Sequence, residues 1–531
     1  MYALRTLPRR KAFWLSWLVG FVFFLGSMAW LIHLQEFGGP LAFVGWFALS
    51  AYLALYFALF GLIADQAYTR HPTPFTRHVL IPSAWVALEY VRSHLLSGFG
   101  WNLLAYSQTS WTPLIQMADI TGAWGVSWVI VFVNGVLTES IHRATGQGAW
   151  GSRAGTRDKG QGTRDRKEPT NSEENLKQAI SEWVAAVGLV LLVLCYGIWR
   201  LRSVPGGGIV RVAVVQGNIP QEQKWQEAYV AEILDRYARL TKEADQTATD
   251  LIVWPETSVP GLLGADETIT QRMGELARGI QRPLLVGAAM LSSVTMDDGN
   301  FELTNSAALM DPSGSIVARY DKQRLVPFGE FIPAEKLFPW LRNILPPIGD
   351  FVAGHEATVF HSHAQTLSEG QGAWGEGRGE TVVPTPPVSH PMPPFSVLIC
   401  FEDVFPEIAR RFVRDGARFL LVITNDAWFG HSAAAFQHAQ ASTFRAVELR
   451  VPVARAANTG WSGCIDAHGR WLDAVKDSKG DALFVAGTTT CELSLPVVKS
   501  LYLQWGDWFA WLCLFGCLIA VCYNVRFFHD C

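Results

Sequence analysis

Charge is what this chain has least of: only 17% of its 531 residues are charged, and the formal net charge is −4. No basic stripe runs through it, which excludes nucleic acid as a partner. Cysteine is sparse as well, eight in all. Cys195, Cys513, Cys517 and Cys522 sit in apolar runs and Cys531 is the last residue, so only Cys400, Cys464 and Cys491 fall in the large middle region. Three scattered thiols predict no disulfide framework. Nor is a metal expected. His361-Ser-His363 stands without further ligands, and Cys513 and Cys517, one helical turn apart, read as packing. No cofactor is predicted. What the chain has in excess is apolar surface: half of it is hydrophobic, with 22 Trp and 31 Phe. That points to membrane spans.

The N-terminus carries Arg5, Arg9, Arg10 and Lys11, followed by an uncharged run from Ala12 to Ile32 and a second from Phe37 to Ala64. A secretory leader has a shorter apolar core and a small-residue cleavage site, so these read as spans. Further spans are expected at about 78–97, 117–138, 183–200 and 506–525. The first of these holds Glu89 and Arg92, one turn apart and able to pair on an inward face. Four basic residues precede the first span and eight fall in 139–182, while 33–36 and 98–116 carry none. The positive-inside rule then puts the N-terminus in the cytoplasm and residues 207–500 outside. The expected organisation is an N-terminal bundle of about five spans (1–206) with a basic cytoplasmic linker at 142–181. An outer domain (207–500) and a final span with a short tail (501–531) follow. Gly146–Asn175 and an inserted loop at 361–394 have compositions that cannot bury a core.

The outer region alternates strand and helix patterns, which predicts an α/β domain beside the membrane α-helical bundle. Strands are expected at Val210–Gln216, Leu251–Trp254, Pro283–Ala289, Asn305–Met310, Ser315–Tyr320, Phe419–Thr424 and Val451–Ala457. Asp311-Pro-Ser-Gly314 suits a type I turn in a hairpin, and the stretch from Cys464 suggests another. Helices are expected at 221–245, with Trp225, Tyr229, Ile233, Tyr237 and Leu240 on one stripe, and at 406–415 and 433–450.

Three apolar runs end on reactive groups. Leu251-Ile-Val-Trp-Pro-Glu256 ends on a carboxylate, Ser315 to Lys322 on an amine, and Phe395-Ser-Val-Leu-Ile-Cys400 on a thiol. Each alone has a plain structural reading: a capping carboxylate, an exposed hairpin charge, a core cysteine. A base, a cation and a thiol, each just past a strand, make a nucleophilic site.

Trp254-Pro-Glu256, Tyr320-Asp-Lys322 and Cys400-Phe-Glu402 resemble the Glu-Lys-Cys triad of the nitrilase superfamily. Val214-Val-Gln216-Gly-Asn-Ile219-Pro220-Gln221, Lys224-Trp225, the stretch Leu325 to Pro333 and Thr424-Asn425-Asp426-Ala427-Trp428-Phe429-Gly430 resemble the apolipoprotein N-acyltransferase family within it. So do Phe99-Gly-Trp101-Asn and Tyr106-Ser107-Gln108. The resemblance implies a nitrilase-like α-β-β-α sandwich held outside the membrane. It implies a catalytic triad of Glu256 (base), Lys322 (oxyanion and thiolate partner) and Cys400 (nucleophile), with Glu330 and Glu402 supporting. It matches Trp225 and Trp428 to substrate-binding tryptophans, core packing being the open alternative for both.

The implied reaction passes an acyl chain from a phospholipid, phosphatidylethanolamine being the expected donor, to Cys400 as a thioester. The chain then goes to the α-amine of an S-diacylglyceryl-cysteine on an apolipoprotein. The implied setting is a bacterial inner membrane, with lipid and apolipoproteins as partners and a monomer expected. Two departures stand out. Phe401 occupies the position where the family has tyrosine, and six spans are counted where the family has eight, so an N-terminal pair is expected to be missing. A membrane-tethered amidase, in which water takes the acyl group, is the alternative, and a membrane binding module with an inactive domain is a second.

Overall fold

The computed structural model describes residues 7–69, 73–144, 172–203, 206–295, 301–333, 349–361 and 392–526, with 335, 337, 339, 340 and 342. The chain divides into two compact units, one of residues 1–35, 40–203 and 504–531, the other of residues 36–39 and 204–503.

The first unit is helical: α1 (Arg9–Ser27), α2 (Leu41–Thr69), α3 (Ile81–His94), α4 (Ala123–Ala144), α5 (Ser172–Leu201) and a C-terminal helix, Trp508–Arg526. Phe24 of α1 and Met28 just after it pack on Leu53 of α2, while Ala64 of α2, Ile81 of α3 and Val131 of α4 share another cluster. Among the described residues, three helical stretches are long and apolar enough to cross a membrane: Leu41–Ala67, Ala123–Ala144 and Leu176–Leu201. A fourth arises if Arg9–Ser27 and Ala29–Gly38, bent by 58°, count as one.

Among the described residues, three or four of the six expected spans meet this test of length and composition. The expected span 78–97 is a π turn, Thr76–Leu80, running into α3, which has only 14 residues and buries both Glu89 and Arg92. These two reach the following loop: Glu89 Oε1 accepts the Leu104 N–H at 2.8 Å, and Arg92 Nη2 donates to the Asn102 carbonyl at 3.4 Å. In the C-terminal helix the apolar stretch Trp508–Ala520 is also short for a span. Residues 172–181, expected in the linker, belong to α5; the rest of that linker beyond 144, and 362–391 of the expected loop, lie outside the described residues.

The second unit is a two-sheet sandwich. Its elements are β1 (Ile209–Gln216), α6 (Val230–Asp245), β2 (Leu251–Val253), β3 (Val259–Leu262), α7 (Glu267–Ile280), β4 (Leu284–Thr295), β5 (Phe301–Met310) and β6 (Ile316–Asp321). Then come β7 (Phe395–Ile399), α8 (Pro406–Arg414), β8 (Phe419–Thr424), α9 (Ala434–Leu449), β9 (Val453–Ala457), β10 (Gly463–Ile465), β11 (Trp471–Ala474) and β12 (Gly487–Ser494). One sheet has the order β12-β1-β2-β4-β5-β6 with β3 beside β4, the other β11-β10-β9-β8-β7. Both are mixed. β1, β2 and β4 run parallel, as do β7, β8 and β9, while hairpin neighbours are antiparallel. Strands covered on both faces read as continuous apolar runs, which is why Phe395–Ile399 and Phe419–Thr424 are buried throughout. α6 and α7 cover the first sheet, with Tyr237 stacked on Trp254 at 4.6 Å, and α8 and α9 pack on the second.

Three expectations change here. The helix expected from 221 starts at Val230, because Gln223 N–H closes a turn on the Pro220 carbonyl at 3.1 Å and Lys224 is drawn inward. Trp225 and Tyr229 therefore lie off the helix. Helix α7 and strand β12 were not anticipated. Finally, Cys464 on β10 and Cys491 on β12 form a disulfide that joins the two sheets. Their separation of 27 residues hid this; the facing sheets bring the Cα atoms to 6.3 Å. The expected Asp311–Gly314 turn is present, Gly314 N–H bonding the Asp311 carbonyl at 2.9 Å with φ +83° at the glycine.

Candidate active site

The first sheet delivers three charged groups to one place. Glu256 lies just past β2, where the chain turns sharply. Across from it on β4, a Cβ at Gly287 would meet the Pro255 carbonyl and the Glu256 Cα, so glycine allows this approach. Lys322 follows β6 directly. Its Nζ stands 3.0 Å from Glu256 Oε1 and 2.9 Å from Glu330 Oε1. Asn305 of β5 donates its amide to both carboxylates at 2.8 Å. The remaining oxygens are met by backbone: Asn425 N–H bonds Glu256 Oε2 at 2.9 Å, and Val326 N–H bonds Glu330 Oε2 at 2.8 Å. Lys224, also buried, donates to the Glu256 carbonyl at 2.9 Å.

The second sheet delivers the thiol. Cys400 follows β7 directly and opens a 3-10 turn with φ +54°, a left-handed conformation that costs a non-glycine residue about 1–3 kcal/mol. Glu402, fully buried, holds this turn. Its Oε2 accepts the Ile399 N–H at 2.8 Å, while Oε1 accepts the Tyr320 hydroxyl at 2.8 Å and the Gln323 and Arg324 N–H groups at 2.6 and 3.2 Å. One carboxylate thus ties the thiol's turn to the residues flanking Lys322.

Electrostatics follow from burial. Burial pushes the Cys400 thiol well above its ordinary range, and Glu256 and Asp426 add to this. Lys322 and a hydrogen bond from Thr424 favour ionisation. Burial also opposes a charged Glu256, but Lys322, Lys224 and Asn305 outweigh it and hold that carboxyl below the usual range. Lys322 is buried too, yet Glu256 and Glu330 hold its ammonium well above normal. Burial lowers Lys224 to about 8, against Glu256 and Cys400. Burial lifts Glu402 to about 7, against hydrogen bonds from Ile399, Gln323 and Tyr320 and the charge of Lys322.

The structure therefore brings Glu256, Lys322 and Glu330 into one cluster, places Cys400 within its electrostatic reach, and makes Glu402 a strut. Trp225 is 51% exposed and Trp428 lies half-buried in the 3-10 turn Asp426–Phe429; neither hydrogen-bonds within the cluster among the described residues. Sequence reasoning assigned no role to Lys224, Asn305 or Asn425. The signal for two of them was present, since Lys224 precedes Trp225 and Asn425 sits in the stretch Thr424–Gly430.

Two family models match the chain. Residues 1–136 match the apolipoprotein N-acyltransferase N-terminal domain, and residues 211–495 match carbon-nitrogen hydrolase. The apolipoprotein N-acyltransferase of Geobacter metallireducens is 33% identical, with 97% of this chain and 88% of that protein covered. The chain belongs to the apolipoprotein N-acyltransferase family. The enzyme of that name from Methylococcus capsulatus is 31% identical over 96% of this chain and 87% of its own. Among solved structures, a nitrilase-superfamily amidase from Nesterenkonia AN1 is 19% identical, covering 57% of this chain and 95% of its own with a TM-score of 0.36. In this family member the carbon-nitrogen hydrolase match spans β1 through β12, the whole sandwich that carries the cluster.

Proposed function

We propose that the chain transfers an acyl chain from a membrane phospholipid to the N-terminal α-amine of S-diacylglyceryl-cysteine on apolipoproteins, through a thioester on Cys400. The observation that carries this reading is Lys322 buried between Glu256 and Glu330, with its charge close enough to favour ionisation of the Cys400 thiol. As Cys400 Sγ attacks the ester carbonyl, its proton passes to Glu256. The neutral resting thiol suits this, since ionisation need occur only as the bond forms. Two N–H groups of Lys322 engage the glutamates, and an ammonium has a third for the developing oxyanion. The lysophospholipid oxygen leaves with the proton from Glu256. The incoming amine then attacks the thioester, gives its proton to Glu256 and forms the amide, and that proton returns to the Cys400 thiolate.

Phosphatidylethanolamine remains the proposed donor and a monomer the proposed state. Trp225, exposed on the turn after Pro220, is the proposed lipid contact, with Trp428 on the wall of the site. The six-span topology with residues 207–500 in the periplasm, flanked by 1–206 and 501–531, is proposed on two grounds. Basic residues concentrate before the first span and in 139–182, and the Cys464–Cys491 disulfide suits an oxidising compartment.

The test is mass spectrometry of the purified protein mixed with phospholipid, alongside lysophospholipid release with and without an acceptor peptide. An acyl group on Cys400 and release sustained only with acceptor are expected. Cys400→Ser should release none, because Glu256 is too weak a base to activate a hydroxyl. Sustained release without acceptor would identify a hydrolase, and release by Cys400→Ser would move the chemistry to another residue.

A further inference from the structure

Beside Cys400, the second sheet and its helix α9 hold a group of charges that the reaction above does not use. Asp403 follows the nucleophile by three positions, Asp426 follows β8, Arg455 lies on β9 and His438 on α9, and all four are at most 2% exposed. Arg455 joins both aspartates, Nη1 to Asp403 Oδ2 at 3.1 Å and Nη2 to Asp426 Oδ2 at 3.2 Å. His438 joins them again, Nε2 to Asp403 Oδ1 and Nδ1 to Asp426 Oδ1, each at 3.0 Å. Its Nε2 also stands 3.1 Å from the carbonyl oxygen of Cys400. Ser442 and Thr424 also donate to the aspartates, to Asp403 Oδ2 at 2.5 Å and to Asp426 Oδ1 at 3.2 Å. Gly460 permits the closure, since a Cβ there would run into the Asp426 carboxylate.

The partners fix the protonation of the imidazole. A carbonyl oxygen never donates, and an ionised carboxylate only accepts, so both ring nitrogens facing them must carry hydrogen. His438 is then an imidazolium. With Arg455 it balances the two aspartates, two positive charges against two negative in a closed ring.

We infer that His438 is a positioning residue for the nucleophile: as a cation at neutral pH it grips the Cys400 carbonyl, holding the left-handed turn, and screens the thiolate from Asp403 and Asp426. The energetics agree with the geometry. Burial and Arg455 work against a charge on His438, but Asp403 and Asp426 outweigh them and lift it to about 9. Asp426 opposes ionisation of Cys400, so removing the cation beside it leaves the thiol facing more negative charge.

The inference rests on Cys400 being the nucleophile, and thiol alkylation reads it without depending on acyl transfer. The full chain in detergent is compared with His438→Gln, which can still donate to the Cys400 carbonyl but carries no charge, and with His438→Gln/Asp426→Asn, which restores the balance. Alkylation by iodoacetamide is followed from pH 6 to 10, and acylation by phosphatidylethanolamine vesicles in single turnovers. For His438→Gln, alkylation should be about tenfold slower than in the parent at each pH below about 9, where the parent's His438 is charged, the thiol staying mostly neutral in both. Both rates at pH 7 should fall about tenfold, one pKa unit being tenfold in thiolate, with the phospholipid KM within about twofold of the parent. The double variant should regain at least about threefold. An unchanged alkylation profile in His438→Gln, a change confined to KM, or a double variant no faster than the single would overturn the inference. If His438→Gln does not fold, the double variant decides: folded and alkylated within about tenfold of the parent supports the charge balance, and failure to fold overturns it. A parent that alkylates normally but takes no acyl group counts against the proposed function and leaves this inference standing.

Discussion

Cys400 sits between two buried ion clusters made of similar side chains, and the contrast between them separates acting from holding. The first sheet contributes Glu256, Lys322, Glu330 and Lys224; the second contributes Asp403, Asp426, Arg455 and His438. In the second cluster both oxygens of each aspartate face a cation, and the groups are tied to one another. Such a ring fixes geometry, and its parts have little left to offer a substrate. Among the described residues, the first cluster leaves an ammonium proton uncommitted, and it faces a thiol that is only partly buried. Buried charge pairs are weak contributors to net stability but expensive to break, so the clusters should fail differently when cut.

The largest effect is expected in the second cluster. Arg455→Met leaves Asp403 and Asp426 with one cation between them, and should destabilise the sandwich by about 3–5 kcal/mol. Denaturation of the solubilised protein, followed by loss of tertiary circular dichroism, checks this; a loss below about 1 kcal/mol would break the comparison. In the first cluster, Lys322→Met should instead lower both acyl-enzyme formation and aminolysis by about 100- to 1,000-fold, the usual cost of a lost oxyanion partner. Single-turnover measurements of each half-reaction distinguish this from a defect in one step alone.

pH offers a third cut. The pKa of His438 is raised from an ordinary value near 6.5 to about 9. Its contribution is therefore fully present below about pH 6.5 and is lost as pH rises through 9, an effect of roughly 3 kcal/mol by linkage. Asp403 and Asp426 are held below their usual range, His438 and Arg455 outweighing burial, so their contribution is lost instead on acidification. Unfolding midpoints taken from pH 6 to 10 should fall in the parent and stay flatter in His438→Gln. The smallest effect is expected away from both clusters. Replacing residues 362–391 by a few Gly and Ser residues should change acyl transfer by no more than about a few-fold, because loop closure depends weakly on length. Loss of transfer in a folded variant would make that segment part of the site.

The sequence alone determined much of this protein. Apolar runs of five residues ending on Glu256 and Cys400 exposed two strand ends, since a strand buried on both faces must be apolar along its length; Lys322 instead follows an edge strand that carries Arg319 and Asp321. Asp311-Pro-Ser-Gly314 announced its turn because turn chemistry is local. The tertiary structure decided what depends on elements far apart in the chain. Helix α3 ends after fourteen residues because its buried Glu89 and Arg92 bind the loop beyond it. Trp225 leaves the helical stripe because Lys224 is pulled in to the Glu256 carbonyl. Cys464 meets Cys491, and His438 meets Asp403, Asp426 and the carbonyl of Cys400, only when two sheets and their helices are stacked. Local pattern reports which residues a strand or turn can accept. Which charge finds which partner is settled by packing, where a buried charge without one is too costly to keep.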